Sequence, residues 1–351
     1  MFITGLGTAS PPRRYTQKEC WEVFRHSALS RQLKPRSRAI IRKVLTGNNG
    51  IESRHLALEH LEQAFDLTPN DLHARFARNA PGLAAEAAKA ALADAGMEVG
   101  KIDALIISTC TGYLCPGLTS YVSERLGLRA DVLTLDLVGQ GCGAALPNLC
   151  AGEALLAAGR CRHVLAVCVE VCSAALYFDD DPGVLISACL FGDGAGAAVL
   201  EAAPNGKRQV EWRANASLLN PDDRDALRFE QREGMLRNVL RPQVPALAAQ
   251  YVPRVLTQAL KVAEARRSQI KGWVLHPGGR DVLSALRESL GLNAQEVRWS
   301  EAVLREFGNV SSASVFFVLQ ATLADKTPGG LWWLCSFGAG FSCHGALLSV
   351  E

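Results

Sequence analysis

Residues 191–201 read FGDGAGAAVLE, and residues 337–351 read FGAGFSCHGALLSVE. Each is a Gly-rich turn running into a strand of small residues. The same order of elements precedes both. Upstream of the first, residues 84–95 (AAEAAKAALADA) carry a helix pattern closed by Gly96, and residues 103–109 (DALIIST) read as a buried strand. Upstream of the second, helix, short loop and strand recur over residues 253–275. Between these landmarks, GCGAALPNLCAGEALL precedes a strand at residues 163–169, and GNVSSASVFFVLQATL precedes one at residues 331–335. Pro147 in the first of these must sit in a first helical turn or kink the helix. The spacing agrees as well as the order: 21 residues from Cys142 to His163, 22 from Asn309 to Leu331. Two long copies predict a duplicated α/β domain with halves 1–203 and 204–351 and a join near residues 203–207 (APNGK). Alternating helices and buried strands predict helices covering both faces of a mostly buried sheet. Residues 20–80 and 205–250 break the pattern, rich in Arg, Glu and Leu, and read as helical insertions or loops around an entrance.

The length of 351 residues suits two domains, and 48% hydrophobic against 21% charged residues suits a large core. A net charge of +2 gives no ground for nucleic-acid binding. No targeting segment and no apolar run of membrane-spanning length is visible, so a cytoplasmic protein without a membrane span is expected. The 11 cysteines are odd in number and scattered, without CxxC spacing; most read as buried small hydrophobes in a reducing compartment, and no metal site is expected.

Three residues carry chemistry. Cys142, in DLVGQGCGAALPNL, sits where a strand gives way to a helix. The helix N-terminus is expected to lower its thiol pKa, and Gly141 and Gly143 leave room for a substrate. The alternative, a buried structural cysteine, suits the other ten better. His276, in GWVLHPGG, ends an apolar strand, where open α/β sheets place their sites. It can pair with a thiolate and then donate to a thioester carbonyl; alone, it reads rather as a solvent-facing histidine in a turn. Asn309, in REFGNVSSASVFFVL, serves either as a helix N-cap or as a second oxyanion donor. The repeat sets it near the counterpart of Cys142, facing it across the two halves. A Cys nucleophile with His and Asn donors implies acyl transfer to sulfur, then attack by an enolate made by decarboxylating a malonyl thioester. That chemistry needs no cofactor beyond the CoA thioesters themselves.

GQGCGAALPNL, LFGDGAGAA, GWVLHPGG and FGNVSSASV together resemble the type III polyketide synthases, the chalcone synthase-like family, bacterial members above all, from Ile3 to the C-terminus. The resemblance implies a thiolase-like five-layer αβαβα sandwich, a homodimer, and acyl-CoA and malonyl-CoA as substrates. It implies Cys142 as the acyl-carrying nucleophile, with His276 and Asn309 driving decarboxylation. Phe191 matches a gatekeeper between CoA tunnel and cavity. Cys110 and Ala175 match cavity-wall positions, and Gly278 follows the histidine in the substrate site. Glu170 and Ser311 match positions tied to the cyclisation route, and Cys115 a residue reaching into the partner's cavity. Arg42 and Lys43 lie near the CoA-phosphate-binding stretch, or on a solvated helix face.

Two departures weaken the match. Where the family has GFGPG, this chain has Ser336-Phe337-Gly338-Ala339-Gly340, as in ketoacyl synthase III enzymes. Residues 225–240 match weakly, and Arg228, Arg232 and Arg237 there read as narrowing the cavity, binding CoA or recognising an acyl carrier protein. A single-condensation ketoacyl synthase III-like enzyme is therefore the second reading. A Cys hydrolase is a third, and a non-catalytic scaffold a fourth.

Overall fold

A computed structural model describes residues 1–206, 209–325 and 327–351; Lys207, at the end of the expected join, lies outside them. Nine strands form one sheet whose two arms repeat each other. In the first arm, Phe2–Ala9 pairs antiparallel with Gly194–Glu201, which pairs antiparallel with His163–Glu170. Ala104–Thr109 and then Leu133–Val138 continue in parallel. In the second, Val210–Leu219, Ser342–Val350, Gly330–Gly338 and Ile270–Leu275 follow in the same order and senses. A single register pair, Phe2 with Glu211, joins the arms.

The side chains alternate along each strand, which assigns them to layers. Ile106, Ala166 and Ala198 of the first arm and Trp332, Leu334 and Leu348 of the second share one core with the helices Ala145–Ala157 and Ser314–Ala324. These helices are apolar all round, as a helix buried between two sheets must be. On the opposite faces, Leu105, Ile107 and Val167 pack under the helix Pro69–Ala95, and Trp273, Leu275 and Trp333 under Val244–Val262. The result is helix, sheet, helix, sheet, helix: the αβαβα sandwich expected.

Local readings mostly hold. The strand expected at 103–109 is Ala104–Thr109, that at 163–169 is His163–Glu170, and Pro147 sits in the first turn of Ala145–Ala157. The helix ending at Gly96 begins at Pro69 and runs through Pro81; Gly96 closes it with φ 66°. Residues 205–250 depart from expectation. They hold a strand of the main sheet and a hairpin, Leu227–Arg232 with Met235–Leu240. Val210, Trp212 and Ala214 alternate with Glu211, Arg213 and Asn215, a period-two strand signal that the wealth of charged residues in this stretch outweighs.

Candidate active site

Cys142 lies in a one-turn 3-10 helix, Gly141–Gly143, that leads into Ala145–Ala157. Its counterpart in the other half, Ser311–Ala313, leads into Ser314–Ala324 in the same way. The two turns meet where the central helices begin. There the Ser311 hydroxyl donates to the Cys142 sulfur at 3.4 Å. Ser311 holds φ at 49°, a left-handed conformation that a serine adopts at some cost. The Asn309 Oδ1 fixes it by accepting from the Ser311 N–H at 2.9 Å. Asn309 Nδ2 donates to the Gly278 carbonyl at 3.2 Å, and the Gly278 N–H returns to the His276 carbonyl at 2.9 Å. The three chemistry-bearing residues therefore stand on one continuous set of contacts, drawn from both halves. Asn309 is not a helix cap: its side chain serves the turn before the helix.

His276 is 1% exposed, and among the described residues neither ring nitrogen has a hydrogen-bond partner. Its ring meets Phe337 edge-on at 5.2 Å. Burial drives its pKa down to about 3, so the ring is neutral, with one N–H to give and one lone pair to accept. The shift of the Cys142 pKa runs opposite to the expected lowering. Burial pushes the thiol up to about 12, against the opposing hydrogen bonds of Ser311 and Asn309. The helix N-terminus is present, but desolvation of a thiolate outweighs it.

Beside Ser311 stands Glu170, fully buried. Its carboxylate accepts from Ser312 at 2.5 Å, Thr111 at 2.9 Å and the Cys110 N–H at 3.0 Å. The Cys110 thiol and Ser311 hydroxyl reach it at 3.3 Å. Burial raises its pKa, while these donors pull the other way. Ser311 has a single proton to give, either to Glu170 or to Cys142.

Cys142 opens on a cavity of about 590 Å³ of non-atom space, part of it open to solvent. Cys110, Ala175, Phe191, Ser311 and Ala339 line it, as the family pattern implies. Glu170, His276, Gly278 and Asn309 are not among the lining residues. Cys115 is exposed and does not line this chain's cavity. Arg42 and Lys43 lie exposed on the helix Pro35–Thr46, away from it. Arg237 is turned inward onto Asp179 (2.8 Å), Glu230 (3.0 Å) and Asp181 (3.2 Å). Arg228 pairs with Glu230 and Asp225, and Arg232 with Asp179. The arginines read as narrowing the cavity or as an anion or carrier site are thus matched by the chain's own carboxylates, and Arg228 does line the cavity. Among the described residues no group of His, Cys, Asp and Glu is arranged to hold a metal ion.

The model of the FAE1/type III polyketide synthase-like proteins matches residues 9–220, and that of the chalcone and stilbene synthase C-terminal domain matches residues 213–349. The chain belongs to the type III polyketide synthase family. It is a condensing acyltransferase. Among its relatives, the 3,5-dihydroxyphenylacetyl-CoA synthase of Streptomyces toyocaensis is 32% identical over 99% of this chain and 89% of that protein. The 1,3,6,8-tetrahydroxynaphthalene synthase of Streptomyces peucetius subsp. caesius is 31% identical over 99% of this chain and 92% of that one. The crystal structure of PKS-I from the brown alga Ectocarpus siliculosus superposes with a TM-score of 0.90 at 26% identity, covering 99% of this chain and 98% of that one. The tetrahydroxynaphthalene synthase of Streptomyces coelicolor shares the fold, with a TM-score of 0.91 at 24% identity over 100% and 99% of the two chains.

Sequence reading missed part of the synthase's cavity wall. Cys172 and Leu176 flank positions it did name, and their spacing from Glu170 and Ala175 was the available signal. Phe229 and Asn238 come from the unforeseen hairpin and carried none.

Proposed function

We propose that this synthase takes a starter acyl group from acyl-CoA onto Cys142 and extends it iteratively with malonyl-CoA, releasing a cyclised product. The observation that carries this is the Cys142 thiol opening on a largely apolar chamber, with Ser311 and Asn309 of the other half against it and Asn309 tied through Gly278 to His276. The proton of Cys142 passes to the free nitrogen of His276. The sulfur then attacks the thioester carbonyl, and CoA leaves as the thiol. Burial opposes each charge alone, so thiolate and imidazolium form together. In the extension step His276 and Asn309 donate to the malonyl thioester oxygen, and carbon dioxide departs as its electron pair enters the enolate. The enolate carbon bonds to the acyl carbonyl, and the Cys142 thiolate leaves. No further cofactor is required, and CoA rather than a carrier protein delivers the starter.

A homodimer completes this reading. Leu133–Val138 is an edge strand carrying exposed Leu135 and Val138, with Tyr113 exposed beside it and Cys115 free to reach a second copy. A bare apolar edge of this kind invites pairing. The halves divide at residues 203 and 204. No described helix is long and apolar enough to cross a membrane, and the 11 free thiols suit the reducing cytoplasm. One observation keeps the single-condensation alternative in play: Ala339, the departure from the family loop, lines the cavity itself.

The deciding experiment is mass spectrometry of products from malonyl-CoA and a panel of acyl-CoAs. Products longer by more than one two-carbon unit, absent in Cys142→Ala, are expected. A single β-keto product points to the ketoacyl synthase III-like reading. Acylation of Cys142→Ala at another residue overturns the assignment of the nucleophile.

A further inference from the structure

A second cavity lies beside the chamber of Cys142. It holds about 540 Å³ of non-atom space, part of it open to solvent, which is within the range of small-molecule sites. The helices Gln17–His26 and Pro35–Thr46 supply Val23, Phe24, Ile41 and Leu45 to its wall. Leu176, Ala188 and Phe191 stand in the walls of both cavities. Cys142, His276 and Asn309 do not line the second one, so the acyl-transfer chemistry gives it no part.

One side chain in this apolar wall is a cation. Arg54 is 5% exposed and lines the cavity beside Cys20. A guanidinium has five N–H groups to place. Nε donates to the Gln17 Oε1 at 3.1 Å, and Nη1 donates to the carbonyls of Ala188 and Phe191, each at 2.9 Å. Among the described residues Nη2 meets only the Cys20 sulfur, at 3.5 Å, so neither of its hydrogens has an oxygen acceptor. No carboxylate is among these partners. The two carbonyls belong to the end of the helix Pro182–Leu190, whose dipole offsets part of the charge. A buried cation without a counter-ion is nonetheless unfavourable, and unmet donors in an apolar cavity add to that cost. The missing group is an anion with acceptor oxygens.

We propose that the second cavity binds a free alkanoate, its carboxylate on Nη2 of Arg54 and its chain among Val23, Phe24, Ile41 and Leu45. A carboxylate matches the guanidinium in charge and accepts both Nη2 hydrogens. The alkyl chain covers apolar wall that a hydrated inorganic anion would leave bare. A thioester carbonyl carries no charge to match the guanidinium, so this ligand is not the starter acyl group on Cys142. Hydrolysis of an alkanoyl thioester releases such a ligand. Binding there does not depend on how many times the synthase extends its chain.

Isothermal titration of the full chain with decanoate tests this, and one equivalent is expected to bind. Decan-1-ol keeps the chain and lacks the charge, and should bind about tenfold more weakly. Acetate keeps the charge and lacks the chain, and should bind more weakly still. Arg54→Gln brings the affinity for decanoate down to that for decan-1-ol. Arg54 also holds two carbonyls, so a second variant leaves it in place. Val23→Phe fills the apolar wall and weakens decanoate and decan-1-ol alike, by about tenfold. Ala175→Phe fills the chamber of Cys142 instead and leaves decanoate binding unchanged. Thermal unfolding of each variant confirms that it is folded. Absence of decanoate binding to wild type overturns the proposal. Equal affinities for decanoate and decan-1-ol do so as well, because the charge is then unused. Acetate binding as tightly as decanoate marks a bare anion site and also overturns it. Binding lost in Ala175→Phe but kept in Val23→Phe places the ligand in the chamber, and the second cavity is then not its site.

Discussion

Gly338→Ala should disable this synthase through space alone. Gly338 ends the strand Gly330–Gly338 with φ −158°, a backbone conformation open to alanine. The obstacle is what a methyl group would meet. Its carbon would lie 2.2 Å from the Gly143 nitrogen and 2.4 Å from the Gln140 carbonyl oxygen. Those two atoms are hydrogen-bonded to each other at 3.3 Å, closing the turn that carries Cys142. The methyl would wedge into that bond, and both neighbours are backbone. Reaching ordinary contact near 3.4 Å requires the turn and the C-terminal loop to part by about 1 Å. A misplacement of about 1 Å costs on the order of 100-fold in rate, or about 2.7 kcal/mol at about 1.36 kcal/mol per tenfold. Overpacking with loss of one hydrogen bond destabilises the fold by about 2–4 kcal/mol. At about 2.1 cal/mol/K per residue over 351 residues, the melting temperature falls by about 3–5 °C. The assay pairs thermal unfolding with the rate of Cys142 acylation by intact mass spectrometry. Gly82→Ala is the control: a methyl there meets nothing within 4 Å on the helix Pro69–Ala95, and it should stabilise by about 0.5–1 kcal/mol with activity unchanged. Acylation in Gly338→Ala within threefold of wild type, with an unchanged melting temperature, would refute the reasoning.

In His276→Ala, the Cys142 thiol, held up at about 12 by burial against the hydrogen bonds of Ser311 and Asn309, loses its proposed proton acceptor. Iodoacetamide alkylation of Cys142 should slow more than tenfold at neutral pH and still be rising at the highest pH tested; a profile identical to wild type removes His276 as proton acceptor. Glu170→Gln places an amide NH₂ where one carboxylate oxygen accepts from three donors, Cys110, Ser311 and Ser312 among them or Thr109, Thr111 and the Cys110 N–H on the other side. A stability loss of about 2–4 kcal/mol and an altered ratio of cyclised products are expected, measured by chemical denaturation and product analysis. Val138→Arg on the exposed edge strand should shift sedimentation from dimer to monomer; an unchanged dimer places the interface elsewhere.

The repeat was legible because duplication copies order and spacing, and both survive divergence of individual residues. Cys142, His276 and Asn309 were legible because turns between buried strands and helices have a composition of their own: Gly–Cys–Gly, His–Pro–Gly–Gly, Gly–Asn. The hairpin 227–240 was not. Its outer face is charged, and its partners, Asp179 and Asp181, lie more than 50 positions upstream. Arg232 and Arg237 therefore read as free positive charge until the fold brings Asp179 and Asp181 to them, whereas the partners of Arg228, Asp225 and Glu230, are local. The Cys142 pKa was misjudged for a related reason. The helix N-terminus is a local feature and visible in sequence, whereas desolvation depends on what the other half lays over the thiol.

The site's chemistry follows from where the two halves meet. His276 follows Ile270–Leu275, and Cys110 follows the matching strand Ala104–Thr109. The turn bearing Cys142 matches the turn bearing Ser311. Equivalent positions in one ancestral pattern have thus taken complementary parts: a sulfur in one half, its donors in the other. The side chains of Ser311 and Asn309 that bear on the Cys142 thiol reach it only across the seam. The close approach of Gly143 and Gly338 is what keeps that seam shut. Catalysis and packing between the halves are therefore one property of this molecule, and a methyl group at residue 338 perturbs both at once.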